Sequence, residues 1–456
     1  MILADSLPGF KALLRKAHLG EAAYGHVLAF VATFLLHVGR MSAAQASRFN
    51  RQRPRHLASL TRYLAQLGYS PNLLECARAA VFLLERQQNL PGEWFFLLDA
   101  TKRHSQSKRP ENAYCGANKK KRPRHSQRKQ LKYQPRWTHT FVCGLLLTPG
   151  GLRLPYWLPY YTPDYAAAIA RPFRTEAELG AALIREVQVP PGAKVVVLGD
   201  TAYEAAGIKE ACAARDFRWL MPCNPERVFA GKKPRRKVHA LADDLSECCF
   251  QSYRLDRAGD AYAQQRRLGA SRGGPGTRTR RTYWVHRRIA EVHSVGEVVL
   301  LFSKKDKPKS GAKAAVDKVL MSDALGVSTA TLLSWYSLRW QIELFFKESK
   351  SVLGLAQYQV GKFVQVEGWV ELCWLAFGYL EWYRARQLLR GDLDKEARAD
   401  WQRARTWRLC QLLRQKMEEE EVDRLYRWVG THSGRRRLKR ILRTAYHSTS
   451  PPKISA

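Results

Sequence analysis

Two short apolar runs decide the fold class. EWFFLLDAT, from Glu93, and KVVVLGD, from Lys194 to Asp200, are continuous in apolar residues and each closes on an acid. Runs of this length with no helical period read as strands buried inside a sheet. After the second run, TAYEAAGIKEACAARD has helix-forming composition, and FRWLMPCN returns to strand character. A strand–helix–strand unit favours parallel pairing, since a parallel crossover needs the length of a helix. After the first run, WTHTFVCGLLLT and GLRLPYWLPYY read as two more strands, which predicts a meander of three. The expected class is therefore α/β with a mixed sheet.

Domain limits follow from shifts in pattern. The 456 residues are too many for one ordinary domain and suffice for two or three. Residues 1–91 read as helices, with GHVLAFVATFLLHVGR buried and a break at RQRPR between SAAQASRFN and HLASLTRYLAQLG. Two short helices around a basic turn resemble a helix-turn-helix, which makes this a candidate DNA-binding domain; a plain helical bundle explains the pattern equally well. Residues 92–224 hold the strands and helices above. Residues 225–315 carry GKKPRRK, GASRGGPGTRTRR and the alternating TYWVHRRIAEVHSVGEVVLLFS, and read as a β-rich insertion. Residues 316–384 return to a strand and then helices, with Ser328 or Thr329 as cap. Residues 385–456 are basic and helical.

The charge points to the partner. Lys and Arg number 77 against 40 Asp and Glu, a net +37. Such an excess fits a polyanion, most often nucleic acid, and it is spread along the chain instead of lining one amphipathic helix as a membrane-surface protein would have it. No Asp or Glu occurs between Glu111 and Asp164, and the long segment after the first strand contains Lys119, Lys120, Lys121 and Arg122, a candidate DNA contact. VLAFVATFLL is too short to span a bilayer. The nine cysteines show no CxxC pair and no zinc spacing, which fits reduced thiols. With no basic-then-apolar leader, the expectation is a cytoplasmic, nucleoid-associated protein without a membrane partner.

The chemistry lies in three acids. YSLRWQIELFFKESK, Tyr336 to Lys350, reads as one helix. On a wheel, Trp335, Leu338, Ile342, Phe345 and Phe346 share a core face, and Tyr336, Arg339, Glu343 and Lys350 fall within about 60° of one another at its rim. Arg339 and Glu343 alone would make an ordinary i,i+4 pair. Asp99 or Asp200 alone would be a turn residue or helix cap. Two strand-end acids with a rim glutamate make a set of three carboxylates, which repel one another and call for hard cations such as Mg²⁺ or Mn²⁺. In a basic protein that set suits phosphodiester chemistry with two ions.

Tyr336-x(2)-Arg339-x(3)-Glu343-x(6)-Lys350 resembles, without gaps, the Y-R-E-K signature of DDE transposases of the insertion-sequence-four superfamily. LLDAT supplies the first acid and VLGDTAY the second, and the resemblance runs over roughly residues 92–385. It implies a ribonuclease-H-like mixed sheet of three antiparallel and two parallel strands, interrupted by a β-rich insertion. It implies Asp99, Asp200 and Glu343 as catalytic metal ligands for two Mg²⁺ ions, with Mn²⁺ as a substitute. Tyr336, Arg339 and Lys350 become contacts to phosphates near the cut. Some relatives hold a flipped base against an insertion tryptophan; Trp284 is the candidate, although its plainer reading is a core or edge residue. The implied activity is cut-and-paste transposition, with double-stranded DNA (terminal repeats and target) as partner and a homodimer on DNA. The long basic segment after Asp99 has no counterpart in that pattern. Two other readings are a catalytically inactive DNA-binding remnant, which the complete acid set disfavours, and a ribonuclease-H-like structure-specific nuclease, which has no need of the terminal helical regions.

Overall fold

The computed structural model describes residues 7–37, 39–49, 56–69, 72–88, 90–105, 110–116, 136–231, 234–255, 281–305, 307, 316–390, 393–431 and 436. Its centre is one mixed sheet. The strands are β1 (Trp94–Ser105), β2 (Tyr114–Gly116), β3 (Arg136–Leu147), β4 (Arg153–Pro159), β5 (Val195–Leu198), β6 (Arg218–Pro222), β7 (Gln251–Leu255), β8 (Arg281–Val292), β9 (Gly296–Lys304) and β10 (Lys318–Ser322). Their order is β2-β3-β1-β5-β6-β10-β9-β8-β7, with β4 also paired to β3.

The expected meander is β1, β3 and β4, antiparallel throughout. β5 pairs parallel to β1, and β6 parallel to β5, with the Ala206–Ala213 helix as crossover. These short strands are apolar because both faces are covered: Val195 to Leu198 and Leu220 to Met221 are buried. One expectation needs correction. Asp99 does not end its strand. β3 pairs with β1 from Phe95 to Ser105, so the strand continues six residues past the acid through the polar stretch ATKRHS. The strands after β6 join the same sheet. β10 pairs antiparallel to β6, and β9, β8 and β7 add on in turn. β6 is thereby spared an open edge.

Between β4 and β5 the chain forms two helices, Pro163–Ala168 and Glu176–Glu186, the second with a full capping box on Thr175 and Glu178. The helix Phe363–Leu389 is apolar nearly all round and accordingly buried along its length. The N-terminal helices wrap it. Phe30 and Phe34, on the helix Glu21–Leu36, meet Trp369 edge-on at 5.9 and 4.9 Å. The helix Leu57–Tyr69 crosses it so closely that a Cβ on Gly368 would run into the carbonyl of Leu64, and one on Gly68 into that of Val364. The helix Leu73–Gln88 starts against it: the carboxylate of Glu371 accepts from the amide of Leu74 at 2.7 Å, and from the indole of Trp157 on β4 at 3.0 Å. A buried carboxylate at a helix N-terminus satisfies an otherwise orphaned N–H and favours the dipole. The segment between Ala43–Phe49 and Leu57–Tyr69, where a basic turn was expected, lies mostly outside the described residues. The nine cysteines are free. No helix among the described residues is long and apolar enough to cross a membrane.

Candidate active site

The stretch Tyr336 to Lys350 is not one continuous helix. Thr329–Leu338 and Trp340–Ser351 are separated at Arg339, where the amide of Arg339 bonds the carbonyl of Tyr336 at 3.2 Å and that of Ile342 bonds the carbonyl of Arg339 at 3.3 Å. These three-residue spacings wind the junction tighter than an α-helix. Ser328 caps the first helix through the amide of Thr331. Trp335, Leu338, Ile342, Phe345 and Phe346 are buried as the wheel requires. The rim residues diverge instead of forming one stripe.

Arg339 stands between two of the acids. Its guanidinium donates to Glu343 Oε1 at 2.5 Å and lies 3.6 Å from Asp99 Oδ2. Asp99 projects from β1 opposite Cys143 and is about one-fifth exposed, and its Oδ1 accepts from the amide of Ala100 at 2.8 Å. Burial lifts the Asp99 carboxyl to about 6; the Ala100 N–H and Arg339 pull it down, and Asp200 and Glu343 push it up. Asp200 follows β5 by two residues, and its carboxylate caps the short turn Thr201–Tyr203 by accepting from the amide of Ala202 at 2.8 Å. The plainer expectation for Asp200, a cap, is what its side chain does, yet it stands near enough to bear on Asp99.

The other rim residues meet the sheet on either side. The Lys350 ammonium donates to the carbonyl of Lys102 on β1 at 2.9 Å, and burial lowers its pKa. The Tyr336 hydroxyl accepts from the Lys318 ammonium, at the start of β10, at 2.9 Å. Trp284 stands apart. It opposes Ser252 and Lys304 in the ladder, with Lys307 5.8 Å above its ring. Lys119, Lys120, Lys121 and Arg122 lie outside the described residues.

A buried network anchors the helix that carries Glu343. Five residues on, Glu348 accepts from Arg153 of β4 at 3.4 Å and from the hydroxyl of Thr406 at 2.7 Å. Arg153 also donates twice to Glu381, from Nη2 at 2.7 Å and Nε at 3.1 Å, and Arg384 donates to the same carboxylate at 2.5 Å. Sequence reasoning passed over these residues and Lys318. A lone arginine in RLPYWLP carries no periodic signal, and its partners are some two hundred residues away.

The donor set suits a hard divalent cation in kind, with three carboxylates, two of them already sharing a cation in Arg339. Among the described residues, no three His, Cys, Asp or Glu side chains stand together as a formed metal centre. The Asp200 carboxylate spends one oxygen, Oδ1, on its cap, and it bears on Asp99 through its charge. Residues 173–377 match the family model described as Transposase DDE domain. That stretch includes Asp200, Tyr336, Arg339, Glu343 and Lys350, begins after Asp99, and supports a DDE transposase. No curated protein matches the chain.

Proposed function

We propose that the chain is a cut-and-paste transposase of the insertion-sequence-four superfamily, acting on double-stranded DNA by phosphodiester hydrolysis followed by strand transfer. The observation that carries this reading is the convergence of Asp99, Arg339 and Glu343, from β1 and from a helix pair more than two hundred residues later, beside Asp200 at the end of β5. β1, β3 and β4 antiparallel, with β5 and β6 parallel to β1, support a ribonuclease-H-like domain as its frame.

Asp99, Asp200 and Glu343 would hold two Mg²⁺ ions, with Mn²⁺ as a substitute. When bound, the ions would supply activation for an attacking oxygen and charge neutralisation at a leaving one. The chain's own residues do the rest. Arg339 offsets the mutual repulsion of Asp99 and Glu343, and its fork geometry equally suits a phosphate. Tyr336 and Lys350 flank it as polar contacts for the strand on either side of the cut. Lys119 to Arg122 would extend the grip on DNA, and Trp284 would serve as a stacking surface for an unpaired base. A net charge of +37 supports a polyanionic partner, and pairing of two element ends supports a homodimer on DNA.

The test uses duplexes bearing the DNA that flanks the gene. Asp99→Ala, Asp200→Ala and Glu343→Ala should each abolish Mg²⁺-dependent nicking at a fixed position and leave duplex binding intact or slightly tighter, since each removes a ligand and also a charge that repels DNA. Metal-dependent cutting that survives in Asp200→Ala would overturn the assignment.

A further inference from the structure

Among the cations near the acids, those of the signature are largely occupied. Arg339 is shared between Asp99 and Glu343, and the Lys350 ammonium is half-buried and turned onto the carbonyl of Lys102. Lys318 differs. It is exposed, opens β10 opposite Ser303, and has no place in the signature. Its ammonium makes two contacts with one residue, donating to the Tyr336 hydroxyl at 2.9 Å and standing 4.9 Å from the centre of that ring. Cation–π contact and hydrogen bond together fix the lysine on the phenol.

The hydrogen-bond bookkeeping has a direction. An ammonium only donates, so the phenol oxygen is here an acceptor. Its own O–H is then left to donate elsewhere, and the ammonium keeps two further N–H groups. Lys318 and Tyr336 together offer donors and a positive charge, a pairing that suits an oxyanion. Tyr336 lies three residues before Arg339, one turn from the acid cluster.

We propose that Lys318 is a phosphate-contacting and positioning residue: with Tyr336 it takes a backbone phosphate of the DNA strand bound at Asp99 and Glu343, and it holds the Tyr336 hydroxyl as a donor. This rests on the reading of the chain as a DNA-cleaving enzyme, and it adds a strand residue outside the signature to the positive charge offered to the phosphate.

The experiment measures binding of the full chain to the same flanking duplexes over a range of salt concentrations, for wild type, Lys318→Met, Lys318→Arg and Tyr336→Phe. Methionine keeps the apolar stem and removes the charge. Losing one phosphate contact should weaken binding and reduce the slope of log affinity against log salt by about 0.9. Lys318→Arg should restore the slope. Lys318→Met and Tyr336→Phe combined should cost less than the two losses summed, because they share one contact. A purely structural lysine would lower the melting temperature and leave the slope alone. A slope and affinity in Lys318→Met equal to wild type overturn the proposal. The Asp99→Ala cleavage assay separates the two readings. Lost cutting there with an unchanged Lys318→Met refutes only the role of Lys318; surviving cutting with a reduced slope in Lys318→Met refutes only the role of the acids.

Discussion

Glu381→Ala tests what holds the candidate site in place. The carboxylate is fully buried and accepts four hydrogen bonds, from the Arg153 amide at 3.1 Å, from Arg153 Nε and Nη2, and from Arg384 Nη2. Burial alone would lower the pKa of Arg153; Glu381 and Glu348 outweigh it and hold that pKa raised. Truncation would take the Glu381 carboxylate from Arg384 and leave Glu348, at 3.4 Å, as the carboxylate on Arg153. Breaking one side of a buried pair costs about 3–5 kcal/mol, against roughly 0.2–1 kcal/mol for an exposed one. Urea unfolding followed by tryptophan fluorescence gives the readout. With a slope of about 3 kcal/mol per molar, the midpoint should fall by about 1 M or more. Glu381→Gln, which keeps one acceptor oxygen, should lose clearly less. A midpoint shift below about 0.3 M in Glu381→Ala would mean that the network behaves like a hydrated surface pair, and the reasoning would fail.

Three further outcomes are expected. Gly368→Ala should destabilise by about 1–3 kcal/mol, because the new methyl meets the carbonyl of Leu64 and the helices must part; a rise in melting temperature would show that the better helix former wins. Burial raises Glu367 from 4.5 to about 7, opposed by the Tyr161 hydroxyl and Arg171. The folded state therefore holds this proton more tightly than the unfolded chain, so its contribution is complete below pH 4.5 and is lost as pH rises through 7, about 3 kcal/mol in all. Glu367→Gln should remove that slope from a stability–pH curve, and an unchanged curve would refute the assignment. Arg339→Ala should slow single-turnover cleavage ten-fold or more, equivalent to about 1.4 kcal/mol in the barrier, with a small change in melting temperature and partial rescue by lysine. A large thermal loss with normal turnover would return Arg339 to a purely structural role.

Much of the fold was legible because apolar runs and helical periods are local signals. KVVVLGD and WTHTFVCGLLLT name their own strands, and of the two cap candidates, Ser328 and Thr329, Ser328 is the one that caps. The extent of β1 was not legible. Its polar half, through Ser105, is strand only because β3 pairs with it. The tight junction at Arg339 also escaped the wheel, since nothing in SLRWQI breaks a helix; what sets the residue apart is its grip on acids from two elements. Asp99, Asp200 and Glu343 could be singled out by residue type and position, and a cap was the plainer reading of Asp200, but their separations could not be read from the chain.

The burial of Phe363–Leu389 has a consequence in time as well as space. The amide of Leu74 and the carboxylate of Glu371 that satisfies it are 297 residues apart in the chain. At about 5–20 residues per second, a ribosome needs roughly 15–60 s to make the second after the first. Throughout that interval the faces of the N-terminal helices that later close on Trp369, Gly368 and Glu371 lack the helix they close on. A nascent chain stopped before residue 363 would keep them so, exposing an apolar surface prone to self-association until a chaperone or the rest of the polypeptide covers it.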